Sequence, residues 1–369
     1  MAKTVLLVGD GPRRPAVAER AAALGLGITT STDGAFDGVI ATGGSASVEQ
    51  AAAIAAAKGL PGTGVAAAHA LTHKIALRRR LADAGVPQPR YAAVRMLSER
   101  RRAIDEVGFP AVLKPANAGG QRGVFRIASL DDVDAHLHEA LSASPTGEAV
   151  LEELVAGTEM IQIAAAHDGR LIPFTLSDRL QAGFGVASAH VYPAATYGVA
   201  LEETERIALR ALAAIGLRSG VAFVELVESG DGRIVVVGCA PIALGGPLEE
   251  LVRIATGVNT IDVELRSAVG EPWPDSPCLT QPVAIRFLTA EPGPLPAGRV
   301  KRVGTLDKVR AFPGVVEAVL EVRAGETIHP VRTAADRRGY VIAVADTNLD
   351  ALDRAEAASR LVDIDTVLA

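Results

Sequence analysis

The sequence is poor in the residues that build covalent or metal frameworks. Cysteine occurs twice in 369 residues, as Cys239 and Cys278. That is too few for a disulfide framework or a structural zinc site, and both are expected to be reduced and buried. Aromatic residues make up 4%, which leaves the core to Val, Ile, Leu and Ala. Basic charge is not in excess: 37 Lys and Arg face 43 Asp and Glu, for a net charge of −6. No basic surface is offered to nucleic acid or to anionic lipid, so small-molecule partners are expected. Long apolar runs are missing too. The run in "MAKTVLLVGDGPRR" is too short for the apolar region of a secretory signal, and no later stretch reaches the length of a bilayer span. The expected setting is soluble and cytoplasmic.

What is present is length enough for two or three packed units. Abundant alanine, with valine, isoleucine and leucine, predicts helices covering sheets, an α/β or α+β protein. The first segment alternates the two: "TVLLVG" (4–9) reads as a buried strand and "RRPAVAERAAALG" (13–25) as a helix. "FDGVIATGG" (36–44) is a second strand and "SVEQAAAIAAAKG" (47–59) a second helix. This βαβ grammar implies a parallel sheet. Gly9-Asp10-Gly11 partly matches a dinucleotide fingerprint, but Arg14 stands where the third glycine belongs, so a structural turn is favoured over a nicotinamide oxidoreductase.

Residues 69–84 read as one helix carrying Lys74, ended by "GVPQPRY", where Gly85, Pro87 and Pro89 cannot continue it. Beside Arg78, Arg79 and Arg80, Lys74 has an ordinary reading as one more exposed charge. "FPAVLKPANAGGQRGV" (109–124) then places Lys114 at the end of a strand, before a glycine loop. A point charge beside backbone that can approach closely suits a phosphate-rich ligand. Taken alone, the stretch favours a solvated lysine before an ordinary loop.

Long antiparallel strands follow. Val150–Val155 and Glu159–Ala166 flank a turn at Gly157, and Asp168-Gly169 is a hairpin turn leading to Arg170–Leu176. After a helix over 201–215, "GVAFVELVESGDGRIVVVGCAP" forms another hairpin. Its Glu225 sits among apolar neighbours and needs a partner. The proline-rich 270–282 marks a boundary before a tail that ends in a helix near 350–361.

In this order the pieces resemble the ATP-grasp superfamily, in its L-amino acid ligase and biotin carboxylase-like branch. The resemblance implies a Rossmann-like domain over 1–85, followed by an ATP-grasp fold of two α+β subdomains. These would be a small subdomain over 86–155 and a large one over 156–282, with a C-terminal lid subdomain over 283–369. It also implies ATP and magnesium as cofactors. Lys74 and Lys114 become the catalytic, phosphate-holding lysines, with His73 in place of the family's usual aspartate. Gly119, Gly120, Arg122 and Gly123 belong to the loop over the triphosphate. "LEELVAGTE" assigns adenine to Glu152 and to the backbone of Glu153 and Val155, and ribose to Glu159, whose carboxylate can accept two hydroxyl bonds.

The metal strand departs from the family. Glu225 matches the first carboxylate, but the positions of the Glu-x-Asn-x-Arg pattern hold Gly238, Ala240 and Ile242. One magnesium ion at most is expected, because magnesium takes oxygen ligands. Glu228 faces the wrong way on its strand, and Glu249 or Glu250 remains open as a substitute. Cys239 reads as buried filler ahead of a nucleophile. Asp178, Arg179 and Arg286 are candidates to line the substrate pocket. The implied activity is an ATP-dependent ligase joining a small-molecule carboxylate to an amine through an acyl phosphate. Its rival is a degenerate relative that binds a nucleotide or metabolite, or serves as a partner subunit. Family precedent implies a homodimer.

Overall fold

The computed structural model describes residues 2–195, 199–244, 246–273 and 280–367. Cys278 lies outside them. The chain opens with β1 (Thr4–Val8), α1 (Arg14–Ala23), β2 (Gly27–Thr29), β3 (Gly38–Ala41) and α2 (Ser45–Ala57). The strands form a parallel sheet in the order β2-β1-β3. A strand covered on both faces must be apolar throughout. In β1, Val5 and Leu7 face α1, while Leu6 and Val8 face α2.

The expected single helix over 69–84 is two helices, α3 (Val65–Thr72) and α4 (Lys74–Asp83), broken at His73, whose backbone is extended. His73 is the cap of α4: its Nδ1 accepts a hydrogen bond from the Ala76 N–H at 3.4 Å, and its Nε2 lies 3.2 Å from Glu148. An N-cap acceptor satisfies an otherwise orphaned helix donor, the duty aspartate usually performs.

The next unit comprises β4 (Tyr91–Val94), α5 (Arg100–Val107), β5 (Ala111–Pro115), β6 (Phe125–Ile127), α6 (Leu130–Ser142) and β7 (Ala149–Glu153). Its sheet is antiparallel, in the order β4-β7-β5-β6. Leu113 and Leu151 pack with Val107 and Leu137 of the helices. Strand alternation therefore sends Lys114 and Glu152, one residue further on, to the opposite face.

The remainder consists of β8 (Gly157–His167), β9 (Arg170–Gly183), β10 (Val186–Tyr192), α7 (Val199–Ile215), β11 (Gly220–Ser229), β12 (Ile234–Pro241), α8 (Leu248–Thr256) and α9 (Thr260–Ala268). It continues with β13 (Val283–Phe287), β14 (Gly298–Val303), α10 (Asp307–Arg310), β15 (Val315–Leu320), β16 (Thr327–Ile328), β17 (Gly339–Val344), α11 (Asn348–Ser359) and β18 (Ile364–Val367). One eight-stranded sheet runs β12-β11-β8-β9-β10-β13-β17-β15, and β16-β14-β18 makes a smaller one. The β8–β9 hairpin turns on Asp168 and Gly169, both at positive φ, as a tight hairpin requires. Residues from 283 onward do not stand wholly apart as a lid, because β13, β17 and β15 extend the sheet of the preceding region. No helix among the described residues is long and apolar enough to cross a membrane.

Alternation also sorts the faces of β11. Val224 and Leu226 pack with Leu212 and Ile215 of α7, which leaves Glu225 on the other face. At one end that face is covered by α8 and α9, where Leu248, Val252 and Val263 meet Ile161 and Ile163. The uncovered part, from Glu225 towards Glu159, meets Lys114 and Glu152 across a cleft lined by both sheets.

Candidate functional site

The cleft has a cationic section and an apolar section. In the first, α4 begins at Lys74, whose Nζ donates to the Ala118 carbonyl at 2.7 Å. The Lys74 backbone N–H donates to the Ala116 carbonyl at 2.7 Å. Across from it, Lys114 Nζ lies 2.8 Å from Glu152 Oε2. Burial, then the neighbouring Lys114 ammonium, push Lys74 down to about 8, against the pull of Glu152 and Glu225. Lys74, Lys114, Gly119, Gly120, Glu225 and Gly238 all border this section, which encloses about 230 Å³.

Sequence reasoning missed the side chain that organises it. Arg78 is 1% exposed. Its Nε and Nη2 clasp Glu152 at 2.8 and 3.0 Å, while Nη1 and Nη2 donate to the carbonyls of Val236 and Val237 at 2.7 and 2.6 Å. Burial alone would raise the Glu152 pKa, but Arg78 and Lys114 hold it down at about 2. Fork geometry suits arginine to such a buried pair. The spacing sets Arg78 one helical turn from Lys74 on the same face, but its partner Glu152 lies 74 residues away. Glu152, expected to hold adenine, accepts from Arg78 on both oxygens and from Lys114 on Oε2, and is 1% exposed.

The apolar section is walled by Val112, Leu154, Val155, Met160 and Val227, with Glu159 and Arg179 beside them. Glu159 receives bonds from Arg179 Nη1 and Gln181 Nε2, so the carboxylate expected to hold ribose is preordered by its neighbours. At the strand end, the Leu154 N–H donates to the Pro110 carbonyl at 3.0 Å, and the Glu153 carboxylate pairs with Arg90 and Arg233. Of the loop residues, Gly119, Gly120 and Gln121 border the cleft. Arg122 is exposed, with Nε 3.5 Å from the Gly119 carbonyl, and Gly123 packs on Ala143 and Pro115. The Ala334 N–H donates to the Gly120 carbonyl at 3.2 Å, joining the C-terminal region to the loop.

Other candidates have different duties. Gly11 lies so close to Thr42 that an added Cβ would stand 2.1 Å from its carbonyl oxygen, and Arg13 beyond it is buried on Glu249 and Glu264. That turn docks the first domain onto α8 and α9. Asp178 accepts from the Ala195 N–H at 2.9 Å, and Arg286 donates to the Ser188 carbonyl at 2.9 Å. Cys239 is buried in the core with α7, and burial pushes its thiol up to about 12. A thiol so held does not serve as a nucleophile near neutral pH.

Residues 79–242 match the ATP-grasp domain, and residues 286–367 match the L-amino acid ligase C-terminal domain 2.

This is an ATP-grasp fold.

An L-amino acid ligase from Bacillus licheniformis superposes on it with a TM-score of 0.83 at 17% identity, covering 99% of each chain. Among relatives, the uncharacterized protein y4rH of Sinorhizobium fredii is 29% identical over 296 residues, or 79% of this chain and 60% of that protein. D-alanine--D-alanine ligase of Desulforudis audaxviator is 28% identical over 193 residues, 48% of this chain and 61% of that protein. The chain therefore spans about three fifths of the length of these curated relatives.

ATP-grasp enzymes use ATP with magnesium, and the two parts of that requirement fit this cleft differently. The lysines, the loop and the apolar slot fit a nucleotide. The donors on β11 and β12 do not fit a pair of metal ions. Glu225 pairs with Gly238 across the hairpin, and Phe223 with Ala240. A Cβ at 238 would stand 2.3 Å from Glu225 Oε2, so the carboxylate occupies the space where a side chain from β12 would begin. Ile242 is 0% exposed, packed with Ile163 and Val252. Glu249 is held by Arg13 and Glu250 by Arg253. Among the described residues no group of three or more His, Cys, Asp or Glu could hold a metal ion.

Proposed function

We propose that the cleft binds an adenine nucleotide and that the protein is an ATP-dependent carboxylate–amine ligase of the amino acid ligase type. The observation that carries the nucleotide reading is the convergence of Lys74 and Lys114 on one cleft beneath Gly119 and Gly120. That cleft adjoins an apolar slot bordered by Glu159. The base occupies the slot against the backbone of Glu153 and Val155, the ribose meets Glu159, and the phosphates lie between the two ammonium groups. Positioning and charge neutralisation are what phosphoryl transfer asks of a protein. In the ligase reading a substrate carboxylate oxygen attacks the terminal phosphorus and ADP leaves. An amine then attacks the acyl phosphate, releasing inorganic phosphate and forming the amide. Both domain matches support this chemistry.

One observation favours a second reading, a nucleotide-binding protein without turnover: Gly238, Ala240 and Ile242 leave Glu225 as the lone carboxylate of the hairpin face. An ADP-release screen over amino acids and other small carboxylates, with amine acceptors, separates the two. Release that depends on both substrates establishes the ligase. Silence across the panel by a protein that binds ATP in calorimetry establishes the binding protein. Absence of ATP binding removes both.

A further inference from the structure

A metal-dependent phosphate site is built from carboxylates whose charge is repaid by divalent ions, and its electrostatics therefore favour the metal complex of a nucleotide over the free anion. The cationic section of this cleft has the opposite balance: three cationic groups, Lys74, Arg78 and Lys114, face two carboxylates, Glu152 and Glu225. Arg78 meets Glu152 with two hydrogen bonds and is itself buried, so Glu152 is paired by Arg78 as well as by Lys114. Each lysine ammonium has three donors. One from Lys74 goes to the Ala118 carbonyl and one from Lys114 to Glu152, which leaves each with donors for phosphate oxygens. The N-terminus of α4, which begins at Lys74, adds its partial positive charge. On the facing hairpin, Gly238 does more than omit a ligand: the Glu225 carboxylate stands in the volume a β12 side chain would fill.

We infer that this cleft binds its nucleotide as the free, metal-less anion, its phosphates neutralised by Lys74 and Lys114 with no divalent ion at Glu225. The inference rests on the nucleotide reading of the cleft and holds for either the ligase or the binding protein. It assigns Glu225 a new part. Without an ion to coordinate, that carboxylate opposes the phosphates and sets an upper bound on how tightly they are held.

The test is calorimetric titration of the full chain with ATP and with ADP, once in EDTA and once in excess magnesium, for the wild type, Lys114→Ala and Glu225→Gln. Binding in EDTA at least as tight as in magnesium, weakened tenfold or more by Lys114→Ala in both buffers and tightened several-fold by Glu225→Gln in EDTA, is the expected result. Binding confined to the magnesium buffer, or abolished there by Glu225→Gln, overturns the metal-less site while leaving the nucleotide reading intact. Binding in neither buffer overturns both. Circular dichroism of the two variants identifies any loss due to unfolding, and Lys114→Arg, which keeps the charge, should restore most of the affinity.

Discussion

The two walls of the cleft differ in how their polar groups are supported. On the wall made by α4, β5 and β7, every charged group has partners: Lys114 on Glu152, Glu152 on Arg78, and Arg78 on the carbonyls of Val236 and Val237. On the wall made by β11 and β12, a single carboxylate faces Gly238, with Ala240 and buried Ile242 beyond it. A network as complete as the first is costly to break, since removing one member leaves a buried charge exposed to low dielectric. The second wall has no such network to lose. On the proposed reading, specificity for a polyanion resides in the first wall, and the second contributes shape and the opposing charge of Glu225.

The comparison breaks most visibly at Arg78. Arg78→Ala strands Glu152 with Lys114 alone and frees two carbonyls, and should cost about 3–5 kcal/mol of stability, read from urea unfolding. A loss below about 1 kcal/mol would mean the network is not the wall's support. Lys114→Ala leaves the Arg78–Glu152 pair in place, so its effect should fall on binding. Removing one ammonium at about 4 Å and an effective dielectric of about 20 forfeits at most about 4 kcal/mol, and a roughly 10- to 100-fold loss of nucleotide affinity is expected by calorimetry.

Acidity sharpens the contrast further. Lys74 titrates at about 8, facing Lys114 and Arg78 as well as Glu152 and Glu225. Its charged form predominates below that pH, so nucleotide affinity should be full near pH 7 and fall about tenfold by pH 9. Lys74→Arg should flatten the profile, and an unchanged slope in that variant would assign the titration elsewhere. The smallest effect belongs to the second wall. In a Cys278→Ser background, Cys239 should resist a thiol reagent at pH 8 until the protein is unfolded, because burial holds its thiol near 12.

The sequence made the cleft legible wherever chemistry is local. Lys114 stands at a strand end and the glycine loop follows it directly. Glu225 interrupts an apolar alternation, and Gly238, Ala240 and Ile242 could be counted off the same hairpin. What it concealed was long-range. Arg78 looks like its neighbours Arg79 and Arg80 until Glu152, 74 residues away, is folded against it. The break at His73 was hidden because histidine is a rare helix cap, and its role depends on a loop that supplies the Ala116 carbonyl to Lys74. The joining of β13, β17 and β15 to the main sheet was equally unreadable, since a proline-rich boundary says where a chain turns and not which edge it next pairs with.

A crystal structure of the protein grown with ADP in the presence of EDTA tests the central claim most directly. The account predicts adenine in the slot beside Val155 and phosphate oxygens within hydrogen-bond distance of both Lys74 and Lys114, with no ion at Glu225. A nucleotide seated elsewhere, or phosphates that leave both lysines untouched, would contradict it.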